Sequence, residues 1–272
     1  MRPTRRKRVP APRRPKSAKY PAGRGRAATT APPTLASFEL LRAAHRARMG
    51  QALASVAAEQ LRAVAQAMSL GRAGKVQSTS IPTKLNDAML RADATLQAQI
   101  EALTAFAEPP TDGPISLADA VAWITPFTQR TTGHCKLKVL TDVSRQLPPV
   151  AGDYGAIQEI LFALVSNACD AMASSASATL RIGAVQQDQL IYLVVQDDGP
   201  GVSSGVRKRA FDPFVTTRAK GDHLGLGLTV ARELAVQMGG DLRYDPTSER
   251  GARFVLSLRQ WRPARSRSSA GR

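Results

Sequence analysis

Cysteine is nearly absent from this chain of 272 residues: Cys135 and Cys169 are the only two, and neither lies in a Cys-x-x-Cys or Cys/His cluster. That spacing excludes a zinc site of the usual kind, and the simplest compartment for such thiols is a reducing cytoplasm. Histidine is scarce as well, with His45, His134 and His223 making up the full set. No stretch approaches the ~18 to 20 uninterrupted apolar residues of a membrane span, and the N-terminal residues have no apolar core of a secretory signal. A cytoplasmic protein without a membrane span is expected, its signals arriving from inside the cell or from a partner. Acid is missing from both ends. Residues 1–30 carry eleven Lys/Arg and residues 259–272 carry five Arg, neither segment holding an Asp or Glu. These tails account for sixteen of the seventeen net positive charges, so the part between them is close to neutral. The basicity belongs to two appendages and not to a basic docking face.

What is present suffices for a packed core. The chain is 43% hydrophobic and 22% charged, as in soluble globular proteins, and its length suits about two domains. Residues 1–33 are rich in Arg, Pro, Ala and Gly and too poor in large apolar side chains to offset chain entropy, which predicts a disordered basic tail. Residues 259–272 repeat that composition and predict a second flexible tail. Between 34 and 110 two apolar stripes recur at three- and four-residue steps. Leu53, Ala57, Leu61, Val64 and Met68 form the first, and Leu85, Met89, Ala92, Leu96, Ile100 and Leu103 the second. A break at GRAGKVQSTSIP separates them, and Pro109-Pro110 ends the second, which predicts a helical hairpin. Each helix buries only one face within such a hairpin, so a homodimer forming a four-helix bundle is expected.

From 115 to 258 the pattern is mixed. Ser116 with Asp119 resembles a capping box opening a helix to about residue 130. Strands are expected over 136–141, 179–185, 190–196, 241–244 and 252–258, and helices over 155–172 and 227–238. The fold class is therefore α+β: a two-helix hairpin followed by an α/β sandwich with a mixed sheet covered by helices.

Three segments carry chemistry. In EILFALVSNACDAM, Ile157, Ile160, Leu161, Leu164, Val165 and Ala168 define a buried face, while Glu159, Ala163, Asn167 and Asp170 lie on another stripe. An Asn there can turn its amide oxygen toward a metal, although a lone Asn on a helix is usually just solvated. In LIYLVVQDDGPGV a strand runs into Asp-x-Gly-x-Gly, a carboxylate followed by glycines that let backbone approach a flat ligand; taken alone it reads as a plain tight turn. In RAFDPFVTTRAKGDHLGLGL a polar, basic loop leads into Gly225-Leu226-Gly227-Leu228, where a helix start exposes N–H groups at the positive end of the dipole, a site for phosphate. Each signal is bland by itself; the four motifs in this order over some seventy residues are not.

Residues 151–258 resemble the catalytic and ATP-binding domain of two-component sensor histidine kinases, in the ATPase superfamily shared with DNA gyrase, the Hsp90 chaperone and the MutL repair protein. LVSNACDAM is similar to the family's N box, VVQDDGPGV to its first glycine box, FDPFVTTR to its phenylalanine box and HLGLGL to its second glycine box, with Gly251 in the last glycine position. The resemblance implies ATP and Mg2+ as cofactors, with Asn167 as metal ligand and Asp197 on the adenine amine. It implies Gly199 and Gly201 shaping the adenine pocket, Thr217 and Arg218 in the lid, and Gly225, Leu226, Gly227 and Leu228 at the phosphate-facing helix start. Glu159 falls where the kinases place a polar residue that polarises the incoming nucleophile, and Asn167, Arg218 and Glu159 are the catalytic candidates. Ala163 stands where the family has Asn and the gyrase-type relatives have a water-activating Glu, so efficient hydrolysis of that kind is not expected.

The hairpin resembles the family's dimerisation and phosphotransfer region, but Ala58 sits at the position of the phosphoacceptor His, Glu59 remains, and Ala63 replaces a Pro. His45, on an Arg-rich helix face, reads as a solvated side chain. The expected function is ATP-dependent phosphoryl transfer in a relay, to a response-regulator receiver or a His-containing partner and not to this chain's own missing His. A dimeric nucleotide-binding pseudokinase that docks on a partner is the alternative. Nucleic-acid association through the Arg-rich tails is a third reading, with solvated tails favoured over it.

Overall fold

The computed structural model describes residues 36–52, 54, 112–128, 136–175, 177–216, 224–248 and 250–263. Most of the hairpin and both tails lie outside them, as do the second helical stripe and the expected dimer contacts. Of the hairpin segment, residues 36–52 are seen, as a helix, α1. The remaining elements are β1 (Asp112–Ile115), α2 (Leu117–Thr128), β2 (Lys136–Asp142), β3 (Val150–Asp153), α3 (Tyr154–Met172), β4 (Ser177–Gln187), β5 (Leu190–Asp197), α4 (Ser204–Arg207), α5 (Gly227–Gln237), β6 (Asp241–Tyr244) and β7 (Arg253–Arg259).

A five-stranded mixed sheet in the order β2-β4-β5-β7-β6 carries the domain, parallel between β2 and β4 and antiparallel elsewhere. The α+β class expected from the sequence is the one observed. Strict alternation sets the sheet's inner face. In β5, Ile191, Leu193, Val195 and Asp197 are buried while the residues between them are half-buried, the period of two that a strand with one covered face requires. Register extends this face across the sheet, since Ile182 pairs with Val195, Val195 with Phe254, Leu193 with Leu256, and Leu256 with Leu242. The α2, α3 and α5 helices supply the facing layer, with Ile124, Leu161, Leu164, Val230 and Leu234 in one continuous core.

Local signals explain the helix ends. Asp153 caps α3 by accepting the N–H of Gly155 at 2.9 Å, and Ser116 Oγ accepts the N–H of Asp119 at 3.3 Å ahead of α2, one half of the expected box. Three elements were not foreseen: the one-turn helix α4, and β1 and β3, which pair as a small antiparallel sheet with Asp112 opposite Asp153 and Ile115 opposite Val150.

The largest departure concerns α1. Phe38 and Met49 are buried in the same core as the sheet's helices, so residues 36–52 pack on the α/β domain although they precede it by about sixty positions. His45 is only 5% exposed. The expectation that it is a solvated side chain is overturned, because the helix face that carries it is covered by α3.

Candidate functional site

The inner face of β5 ends on Asp197. Because alternation points this side chain into the helical layer, it is buried, and burial pushes its carboxyl pKa above the ordinary carboxylate value while N–H donors from Ala252 and Gly199 pull against that rise. Both donors reach the same oxygen: Oδ1 accepts from Gly199 N at 2.9 Å and from Ala252 N at 3.0 Å. Among the described residues no donor reaches Oδ2. A carboxylate held by one oxygen and open at the other is an acceptor aimed at a ligand.

Glycines let the backbone pack closely against this carboxylate. A Cβ on Gly199 would lie 3.1 Å from Asp197 Oδ1 and 3.2 Å from Met172 Cγ. Gly251, with φ +72°, comes so close that a Cβ there would overlap the Asp197 carbonyl oxygen and stand 2.7 Å from Oδ1. Only glycine fits both the left-handed backbone and that contact. Gly201, with φ +74°, backs onto Gly251, its would-be Cβ 3.0 Å from that carbonyl oxygen. These three glycines let the two turns close tightly around the Oδ1 side of Asp197.

The phosphate end is built at α5. Phe211 anchors the preceding loop edge-to-face against Phe254 of β7, with ring centroids 6.3 Å apart, while Phe214 is turned outward. The Phe214 N–H donates to the Gly225 carbonyl at 3.2 Å, which ties the two ends of the loop together. Thr217 and Arg218 lie between those ends and outside the described residues, as does His223. Gly225, with φ +66°, has Val215 O and Phe214 C within 2.8 Å of any added Cβ, so the loop closes only on glycine there. Leu226 then caps α5 with no side-chain hydrogen bond, so the first-turn N–H groups of Gly227 and Leu228 have no side-chain partner from the cap, an arrangement that can receive an anion. Thr229, in that same turn, buries a hydroxyl with no partner among the described residues. Sequence reasoning passed over it, and its one signal was a hydroxyl in the first turn of a helix opened by glycines.

Asn167 lies on α3, half-buried. Among the described residues no three His, Cys, Asp or Glu side chains converge as a metal cage. A donor set of one Asn oxygen plus phosphate oxygens suits Mg2+, which binds through few protein ligands together with substrate phosphates.

The structure does not present Glu159 as a free acid or base. Its side chain is fully buried, and Arg42 Nη2 donates to Oε1 at 2.9 Å while Arg46 Nε donates to the same oxygen at 2.8 Å. His45 lies beside it, its Nε2 3.3 Å from the Glu159 carbonyl oxygen and its ring edge-to-face with Phe162 at 5.9 Å. Burial lowers the His45 pKa and keeps the imidazole neutral. Ala163, read from sequence only as the loss of a polar group, proves to be a contact point: a Cβ on Gly227 would lie 3.5 Å from Ala163 Cβ and 3.8 Å from His45 Cε1.

A buried strand-end carboxylate held by one oxygen, close-packed glycine turns and a glycine-led helix without a side-chain cap thus stand on one domain, and the model of the histidine kinase-, DNA gyrase B- and HSP90-like ATPase family matches residues 152–262. These residues are a histidine kinase-type ATPase domain. Sensor protein TdiS of Thauera aromatica is 42% identical to the chain over 106 residues, which covers 38% of this chain and 19% of that protein. The histidine-protein kinase AtoS of Escherichia coli is 28% identical over 145 residues, covering 53% and 23%, and the sensor protein RstB of the same species 27% over 194 residues, covering 68% and 43%. The chain spans less than half the length of each. Among solved structures, the catalytic domain of histidine kinase ThkA matches with a TM-score of 0.47 at 20% identity, covering 55% of this chain and 98% of that one. No described helix is long and apolar enough to cross a membrane.

The raised pKa of Asp197 has a measurable consequence for the ATPase domain. Its ionised form is the one that accepts an amine, and burial makes protonation set in at a higher pH than for an ordinary Asp. ATP affinity should therefore decline on acidification earlier than the usual carboxylate pKa of about 3.9 would dictate. Titrating ATP binding downward from neutral pH, with folding followed in parallel, checks this; affinity flat down to the ordinary carboxylate range would contradict the assignment.

Proposed function

We propose that this chain is a cytoplasmic, dimeric kinase of the histidine-kinase type in a two-component relay, binding Mg-ATP in its ATPase domain and passing the γ-phosphoryl group to an acceptor on another protein. The observation that carries the reading is Asp197, buried at the strand end with one oxygen fixed by two backbone donors and no donor on the other among the described residues, beside close-packed glycine turns. Its Oδ2 accepts the exocyclic amine of adenine, Gly199 and Gly201 wall the ring, and the first-turn N–H groups of α5 face the phosphates with Arg218 of the lid. Asn167 is the protein ligand that would hold Mg2+, which supplies charge neutralisation on the phosphates. Phosphoryl transfer chiefly needs this positioning and neutralisation. The hairpin supplies the dimer, and a response-regulator receiver or a His-containing protein is the partner.

Ala58 and Ala163 favour one second reading, a nucleotide-binding pseudokinase that regulates its partner by docking. Incubation with radiolabelled ATP and candidate receiver or His-containing partners separates the two. Label should pass to a partner, while mass spectrometry under conditions that preserve phosphoramidates should find none on the hairpin, because a methyl side chain at 58 offers no lone pair for in-line attack. Binding of ATP with no transfer to any partner supports the pseudokinase, and phosphate on the chain's own hairpin contradicts both.

A further inference from the structure

We propose that α1 is a resident plug on the phosphate-facing side of the ATPase domain, occupying the surface on which a phosphoacceptor helix must land and held there by an arginine latch on Glu159. This deepens the reading above and rests on it.

The surface is a stripe of α3. Glu159, Phe162, Ala163, Ser166 and Asp170 follow one another at three- and four-residue steps and so share one helix face. Ala163 meets the start of α5 within the ATPase domain, while Glu159 and Phe162, also buried, meet partners from outside it. Those partners belong to α1, whose contacts run the length of the stripe. Arg42 and Arg46 hold Glu159, Arg42 also stands 3.7 Å from Asp153, and Arg48 stands 3.7 Å from Asp170. Phe38 and Met49 seat the helix in the core.

The plug reaches the chemistry through His45. Its Cε1 atom lies against the first residue of α5, where the uncapped N–H groups emerge, and beside Ala163. The absence of a larger side chain at 163 leaves room for this imidazole. With 5% of its surface open, His45 has no free face from which its ring could make an in-line attack on phosphorus, so in this arrangement it blocks and does not accept. An acceptor helix from another protein would need this ground and cannot share it with α1.

The latch suits release. Glu159 is a buried carboxylate whose charge is tolerated only while its arginines stay, and loss of one partner from such a pair is strongly destabilising. Arg46 and Arg48 are each more than a third exposed and within reach of a competing acidic surface. With Arg46 drawn off Glu159 and Arg48 off Asp170, Glu159 keeps only Arg42 of its two arginines, and hydration of the weakened pair needs α1 to lift.

The test compares the full chain with its Arg42→Ala/Arg46→Ala form, in binding to ATP and to ATP carrying a bulky fluorophore on the γ-phosphate, with amide exchange of residues 36–52 measured on both. Wild type should bind the γ-labelled nucleotide at least about tenfold more weakly than ATP, and the variant should narrow the gap to within about threefold. Protection of residues 36–52 should fall in the variant while unmodified ATP still binds. Arg46→Ala alone should shift both readouts in the same direction by less, which serves if the double variant does not fold. Protection that survives loss of the arginines would overturn the latch. Protection lost with an unchanged preference for ATP would overturn the plug. Failure of unmodified ATP to bind either protein would instead overturn the nucleotide reading beneath both, and is told apart because amide exchange reports on α1 without nucleotide.

Discussion

Asp197→Asn should bind Mg-ATP about one to two decades more weakly than wild type, a loss of roughly 1.5 to 3 kcal/mol from a charge-assisted hydrogen bond. The size follows from how the side chain is held. Gly199 N–H and Ala252 N–H both point at Oδ1, so an Asn must present its single oxygen to them. Its amide nitrogen is then forced into the place of Oδ2, where it turns a donor toward the donor of the adenine amine. The substitution therefore replaces attraction with a donor–donor clash, and turning the amide over would only move that clash onto the two backbone groups. The fold should survive, since removing a buried charge relieves the desolvation that raises the carboxyl pKa. Calorimetric titration against ATP, with a thermal melt alongside, reads both quantities; unchanged affinity in a folded variant would remove Asp197 from the adenine site.

Gly251→Ala should have the second large effect, on the site and the fold together. The left-handed backbone at Gly251 costs an L-residue about 1 to 2 kcal/mol by itself, and the added Cβ would overlap the Asp197 carbonyl oxygen. That carbonyl belongs to the strand end that Ala252 grips on both sides, donating to Oδ1 and accepting the Asp197 N–H at 3.0 Å. Relief of the overlap must pull Gly251 and Ala252 away from Asp197 and break both bonds. The melting temperature should drop by several degrees, as about 1 to 2 kcal/mol does in a domain of this size, and ATP affinity should fall with it. A variant with wild-type melting and binding would show that the close contact is not maintained in solution.

The sheet and the strand-end carboxylate were legible because their signals are local. LIYLVVQD is a short, nearly continuous apolar run that leads into Asp-x-Gly-x-Gly, so β5 and its terminal carboxylate were legible, whereas the alternation that buries Asp197 shows only in the folded strand. The β1–β3 pair was not legible: DGPI and VAGD have four residues each, contain Gly or Pro, and exist only through pairing with each other. Gly251 was placed only as the last glycine of the family resemblance, and nothing local reveals that a side chain there would run into the Asp197 carbonyl. The Arg-rich face of α1 misled for a different reason. Charges at spacing three and four usually mean a solvated helix, and the partner that reverses this, Glu159, is 113 residues from Arg46 and 117 from Arg42. Its own position on α3, among polar residues off the apolar stripe, hid that it would be buried. Thr217 and Arg218 lie outside the described residues, so their lid role remains part of the proposal.

The place of β7 bears on how the domain is made. It is the last strand among the described residues yet lies between β5 and β6 in the sheet. During synthesis β4 and β5 can pair as they leave the ribosome, whereas β6 has no neighbour until residues 253–259 emerge. The nascent sheet thus waits in two pieces with an unpaired edge, the state in which strands invite foreign pairing. Ala252, which supplies one of the two donors that orient Asp197, arrives with that same segment. A chain stopped short of it lacks both the strand that joins β6 to the sheet and one of the two donors that fix Asp197, so the geometry of this carboxylate is completed only when the end of the domain has been made.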